Sequence, residues 1–202
     1  MFLLRKPTPA VLETIKRHAD SLPFSYAEVG ASRMTSTLER DFLFGKYKVL
    51  HHRIFLGTGY ETFCRAREVF SQWGMFDVDW LELYPSTALQ VSGVTVVVVG
   101  KTLHTWWPNT SRIIYTMDDQ EGDVRRFGLC YGTLTANAVC GEERMLVDWN
   151  SQNDMVYYEI FSFSYAKSLP VRLCYPLFRK LQDRFAKESG EAILRLMGQA
   201  KG

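Results

Sequence analysis

Two adjacent carboxylates in the run Gly141-Glu142-Glu143-Arg144-Met145, and a third in Tyr157-Tyr158-Glu159-Ile160-Phe161, stand among apolar and aromatic residues. A carboxylate facing an apolar core must be paired or shift its pKa, and one that shifts can work as a general acid or base. If 142 to 149 is a strand, alternation sends Glu142 and Glu143 to opposite faces. Glu143 then keeps company with Met145, Val147 and Trp149 and is the inward candidate, while Glu142 goes with Arg144 and Leu146. The catalytic candidates are therefore Glu143 and Glu159, with Tyr158 as a partner. The competing use of either glutamate is a structural ion pair with Arg112 or Arg144. Tyr115, Tyr131, Tyr158 and Thr133 carry hydroxyls that can point toward a ligand, or equally can be satisfied within a core. With Arg112, Glu143 and Glu159 they form the candidate ligand-binding set.

Other chemistries lack their signatures. Cys64, Cys130, Cys140 and Cys174 form no CxxC pair, and His18, His51, His52 and His104 have no metal-ligand spacing, so no metal and no cofactor is expected. Ser162 in Phe161-Ser162-Phe163-Ser164 lacks the GxSxG elbow of a hydrolase nucleophile. Gly57/Gly59 and Gly128/Gly132 have neither the lysine nor the spacing of a phosphate loop.

The elements that must hold these residues follow from periodicity. Val11, Leu12, Ile15 and Ala19 fall at helical spacing behind Thr8 as N-cap and Pro9 at the first helical position. Segment 24 to 47 is mixed and polar. The stretch 48 to 56 reads as a strand stopped by Gly57-Thr58-Gly59, and Phe63, Ala66, Val69, Phe70 and Trp73 predict a helix over 60 to 73 closed by Gly74. Strands are expected near 78 to 84, 94 to 104, 111 to 117, 125 to 135, 142 to 149 and 155 to 164. Their short connections, at Pro108-Asn109, 118 to 123, 137 to 141 and 150 to 154, require an antiparallel meander. Leu177, Phe178, Leu181, Phe185, Ala192, Ile193, Leu196 and Met197 then carry a helical stripe that needs a sheet to cover it. Ser189-Gly190 interrupts that stripe and argues against a dimeric coiled-coil seam. The order predicts an α+β fold, a curved antiparallel sheet of six or seven strands gripping a long C-terminal helix, as one domain over residues 1 to 202.

Composition narrows the partners. Twenty-four basic against 22 acidic residues leave a net charge of +2, too little for a nucleic-acid binder, and Arg65/Arg67 and Arg125-Arg126 read as solvated surface. The longest apolar run, Val94 to Val99, is far below the roughly 18 residues that cross a bilayer. Met1 to Ala10 lacks the apolar stretch of a secretory signal, so an intracellular, cytoplasmic protein is expected. Aromatic residues make up 14%, an excess that favours a large core or a cavity.

Phe24-Ser25-Tyr26 with Val29-Gly30-Ala31-Ser32, Leu56-Gly57-Thr58-Gly59, Phe127-Gly128, Tyr131-Gly132-Thr133-Leu134, Gly141-Glu142-Glu143-Arg144 and Tyr158-Glu159-Ile160 with Ser162-Phe163-Ser164 recur in this order across nearly the whole chain. Together they resemble the family called domain of unknown function 1990 (DUF1990), also uncharacterised protein family 0548. The resemblance implies kinship with helix-grip proteins, typified by the birch-pollen allergen and START-like lipid-transfer domains, and brings no particular activity. The chain has Ala136-Asn137 where the family tends to carry a glycine-histidine pair, which favours a structural hairpin there; His51 matches a position often histidine in the family, with a packed or capping role. The expectation is a domain that binds an apolar or amphipathic small molecule or lipid between sheet and helix. The alternatives are an enzyme using a cavity Glu/Tyr pair, and an interaction module using Trp106-Trp107-Pro108. The oligomeric state is left open.

Overall fold

A computed structural model describes residues 3–33, 46–102 and 105–199. Helix α1 (Pro9–Ala19) begins as its sequence dictates, with the Thr8 side chain accepting from the Val11 amide and proline in the first turn. Strand β1 (Lys48–Thr58) leads through Gly57 and Gly59, both at positive φ, into α2 (Tyr60–Ser71). Strands β2 (Leu81–Tyr84), β3 (Thr95–Thr102), β4 (Thr105–Glu121), β5 (Val124–Thr133), β6 (Val139–Asn150) and β7 (Met155–Ala166) follow, and α3 (Leu169–Gln199) ends the chain. The strands make one antiparallel sheet in the order β1-β7-β6-β5-β4-β3-β2. Helices α2 and α3 cover one face, called inner here. This is the helix-grip architecture.

The sheet is covered on its other face as well. Leu12 of α1 packs on Val97 and Val99 of β3, and Tyr26 and Ala31 of the segment before β1 pack on Phe161 and Phe163 of β7. Strand β3 is buried on both sides, with Val96, Val97, Val98 and Val99 all in the core, which is why its sequence shows no polar alternation.

Four local expectations change. Pro108 and Asn109 lie inside β4, paired with Val99 and Val98, rather than in a connection, and His104 lies outside the described residues. The left-handed residue after α2 is Trp73, at φ 60°, rather than Gly74; Gly74 is needed because a Cβ there would stand 2.5 Å from the Val69 side chain. Leu177 does not join the buried stripe: it is 54% exposed, as are Leu169 (72%) and Leu173 (81%) at the start of α3.

The fourth change explains Ser189-Gly190. Helix α3 runs through them without a break, with Ala186, Ser189, Ala192 and Ile193 fully buried. A Cβ on Gly190 would lie 2.2 Å from Ile54 Cδ1, so this small-residue face lets helix and sheet approach closely. Alanine normally stabilises a helix interior over glycine by about 1 kcal/mol. Gly198→Ala, in the last turn of α3 with nothing within 4 Å of its added Cβ, should be neutral or gain a fraction of that, whereas Gly190→Ala should destabilise, with Ile54→Val restoring part of the loss. Urea denaturation of the variants reads both signs; equal behaviour at the two glycines would refute the packing account.

Candidate functional site

Strand β6 divides its charged residues between the two faces, and each face builds something different. On the outer face the Glu142 carboxylate accepts hydrogen bonds from the Tyr26 hydroxyl (2.7 Å) and from the amides of Gly30 (2.8 Å) and Ser32 (2.7 Å). Arg144 donates to the Ser32 carbonyl (2.6 Å) and to Glu159 (2.5 Å), and the Ser32 hydroxyl lies 2.7 Å from that of Tyr115. His51 and Arg53 close on Glu159 from β1, at 3.4 and 3.6 Å. Burial pushes the Glu159 carboxyl up, but the hydrogen bond from His51 and the Arg144 charge outweigh it and hold the pKa down at about 2.

On the inner face strand β6 carries the Glu143 carboxylate. It pairs across the sheet with Tyr131 of β5 and Ser162 of β7, and the Tyr131 hydroxyl donates to it at 2.6 Å. Burial pushes the Glu143 pKa up to about 7, with the Tyr131 hydrogen bond opposing, and burial followed by the Glu143 charge drives Tyr131 well above its ordinary range. The Ser162 hydroxyl is buried beside them without a hydrogen-bond partner. These three groups open onto a recess of about 160 Å³ between sheet and α3. Trp80, Trp107, Phe178, Leu181 and Phe185 supply much of its apolar wall, and Asn109, Ser111, Thr133, Ser164 and Gln182 add polar groups.

The candidates named from sequence therefore separate. Glu143, Tyr131 and Thr133 line the recess. Arg112 instead donates to the carbonyls of Ala19 (2.9 Å) and Asp20 (3.1 Å), capping α1 on the outer face. Tyr115 and Glu159 also lie on that outer side, in the network around Ser32 and Arg144. Tyr158 is on the inner face but fully buried, beside Ser189 of α3 and outside the recess wall. Trp106 and Trp107 point to opposite faces, Trp106 to the α1 cluster and Trp107 to the recess, so they make no common surface. Asn137 is buried and exchanges hydrogen bonds with the Thr110 backbone at 3.1 and 2.5 Å, fastening the β5–β6 hairpin to β4. Gln182 has no signal in the sequence, Ser162 and Ser164 stand out there only as a serine motif without a nucleophile elbow, and Trp107 only as part of an interaction surface; only the β6–β7 register puts Ser162 beside Glu143. Among the described residues no group of three or more His, Cys, Asp or Glu is placed to hold a metal, and no helix is long and apolar enough to cross a membrane.

The profile of the family described as "Domain of unknown function (DUF1990)" matches residues 25–192. The chain belongs to this family. A UPF0548 protein of Dictyostelium discoideum is 32% identical over 98% of this chain and 96% of its own length. A UPF0548 protein of Deinococcus radiodurans is 32% identical over 98% and 100%, and one of Arabidopsis thaliana 27% identical over 82% of each. Among solved structures, a norcoclaurine synthase point mutant of Thalictrum flavum superposes with a TM-score of 0.45 at 17% identity, covering 77% of this chain and 97% of that one. A hypothetical protein of Helicobacter pylori superposes at 0.45 with 9% identity, covering 73% and 86%. The family's shared motifs now have physical places. The Phe24-Ser25-Tyr26 and Val29-Gly30-Ala31-Ser32 segment is what Glu142 and Arg144 hold, and Gly132 is required because a Cβ there would stand 2.1 Å from the Tyr26 hydroxyl.

Two outcomes follow. Glu142→Ala leaves the two amides and the Tyr26 hydroxyl without their acceptor and should cost about 3 kcal/mol or more. Hydrogen exchange should speed up at residues 25–33 ahead of the rest of the sheet; uniform acceleration would show that the anchor is not local. For Glu143 the raised pKa means that the folded state holds its proton more tightly than the unfolded chain. Its cost is absent below the unfolded value near 4.5, grows as pH rises, and is complete above 7, reaching about 3 kcal/mol. Glu143→Gln removes that cost, so its melting temperature should rise relative to the parent between pH 5 and pH 8. A constant difference would mean that the carboxyl is not raised.

Proposed function

We propose that the protein binds a small, largely apolar molecule in the recess between sheet and α3, with the polar end of that molecule against Glu143, Tyr131 and Ser162. The observation that carries this reading is a half-buried carboxylate and an unpartnered buried hydroxyl placed side by side on an aromatic-walled space. Buried polar groups are normally satisfied within the protein, and concave apolar sites with a few convergent polar groups are the usual form of a ligand site. Volume sets the scale of the occupant. An engineered apolar cavity of about 150 Å³ holds one benzene. The 160 Å³ recess accordingly suits a ring-sized body, and a longer amphipathic molecule would extend past Phe178 and Leu181 of α3.

A second reading uses the same atoms. The 2.6 Å hydrogen bond between Tyr131 and a carboxyl that titrates near neutrality is an arrangement suited to passing a proton to and from a bound molecule. In that case Glu143 exchanges the proton and Tyr131 orients it.

Native mass spectrometry of the protein from its own cells, followed by denaturing extraction, tests the binding reading. A stoichiometric small molecule is expected, and it should be lost in Leu181→Trp, which places an indole in the recess wall. Wild-type protein that is empty and whose melting temperature answers to no ring-sized compound would sink it.

A further inference from the structure

The charges around the recess point to the kind of molecule it takes. Among the described residues lining it there is no lysine, arginine or histidine, and the only acids are Glu142 and Glu143. Glu142 spends its carboxylate on Tyr26, Gly30 and Ser32 across the sheet. Glu143 forms none of the ion pairs found among the described residues, and its single hydrogen-bond donor is a neutral phenol. The contrast with the outer face is sharp, since there Glu159 has Arg144 at 2.5 Å and Asp148 has Arg53 at 2.6 Å. The same strands that supply guanidinium partners outside supply none inside.

A carboxylate in a space walled by Trp80, Trp107, Phe178 and Phe185 attracts a cation twice, through its own charge and through the negative faces of the rings. A ligand carboxylate or phosphate would meet a like charge with no compensating cation. An ammonium head carries up to three donors, and the recess offers acceptors for them in Glu143 and in the unpartnered Ser162 hydroxyl. We propose that the ligand is a small organic cation, a primary or secondary amine protonated at neutral pH on a ring-sized apolar body, held with its nitrogen between Glu143 and Ser162. This deepens the binding reading above and rests on it.

The test is a titration of the purified protein with benzylamine, benzyl alcohol and benzoate, followed by calorimetry and by the indole resonances of Trp80 and Trp107. The three probes share a body that fits the recess and differ in the head group. At pH 8 Glu143, with its pKa of about 7, is ionised and the amine is still protonated. Benzylamine is expected to bind at least tenfold more tightly than benzyl alcohol, with benzoate weakest. Glu143→Gln should abolish the amine's advantage over the alcohol, and Ser162→Ala should weaken the amine several-fold. An alcohol that binds as well as the amine, or an amine preference that survives Glu143→Gln, overturns the assignment while leaving the recess a binding site. Silence to all three probes in a folded protein overturns the assignment and the binding reading together.

Discussion

Strand β6 brings Glu142, Glu143 and Arg144 into a sheet covered on both faces, and the rest of the structure is arranged around that constraint. Removing a charge from water costs several kcal/mol unless a partner and hydrogen bonds replace the solvent. Alternation along the strand forbids one common solution, because neighbouring side chains look in opposite directions. Two charges must be satisfied outside and one inside.

The outside solution recruits chain whose regular structure is limited to one short 3-10 turn, Ala31–Arg33, and a bridge from Phe24 to Leu134. Residues 24 to 33 have few backbone partners in the sheet, yet they are fixed because Glu142 and Arg144 bind their amides and a carbonyl as a substitute for a strand. This in turn makes room a premium on the outer surface, so Gly132 lies under the Tyr26 hydroxyl and Gly141, at φ 153°, lies against the Phe163 carbonyl, where a Cβ would stand at 1.9 Å. Arg144 then carries the order one strand further, to Glu159 of β7 and so to His51 and Arg53 of β1. The string of short motifs is thus one connected polar layer joining the segment before β1 to three strands.

What the sequence showed depended on how local the deciding physics was. The Thr8-Pro9 helix start, the helix beginning after Gly59, and the six-strand meander β2 to β7 with its final helix are set by neighbours in the chain, and the sequence displayed them; the pairing of β1 with β7 is not local. Glu143 was legible as inward because alternation within one strand is enough to orient it. The candidates that lie away from the recess needed information from another strand. Ile113 and Tyr115 have the same parity and should share a face, but the bulge between them turns Tyr115 outward against Cys130 and Ser32. Tyr158 and Glu159 are adjacent and so were never able to look the same way. Arg112 needed the position of the end of α1, and Ser162 needed the β6–β7 register. Gly190 looked like a defect in a helical stripe because its purpose, contact with Ile54, lies on a strand more than a hundred residues earlier.

The inner solution is the incomplete one, and the difference is quantitative. Outside, Glu142 has three donors and Glu159 has cationic neighbours strong enough to bring its pKa down despite burial. Inside, Glu143 has one neutral donor and sits at about 7, a cost of a few kcal/mol at neutral pH in a fold whose total stability is of order 5 to 15 kcal/mol. A glutamine at this position would accept the same hydrogen bond from Tyr131 without that cost, and a leucine would fill the recess. A sequence that satisfies its outer carboxylates so fully has the means to satisfy this one. An unpaired carboxyl kept beside an unpartnered serine is the pattern expected where local stability is given up for a site, since consistency between levels fails where function intervenes.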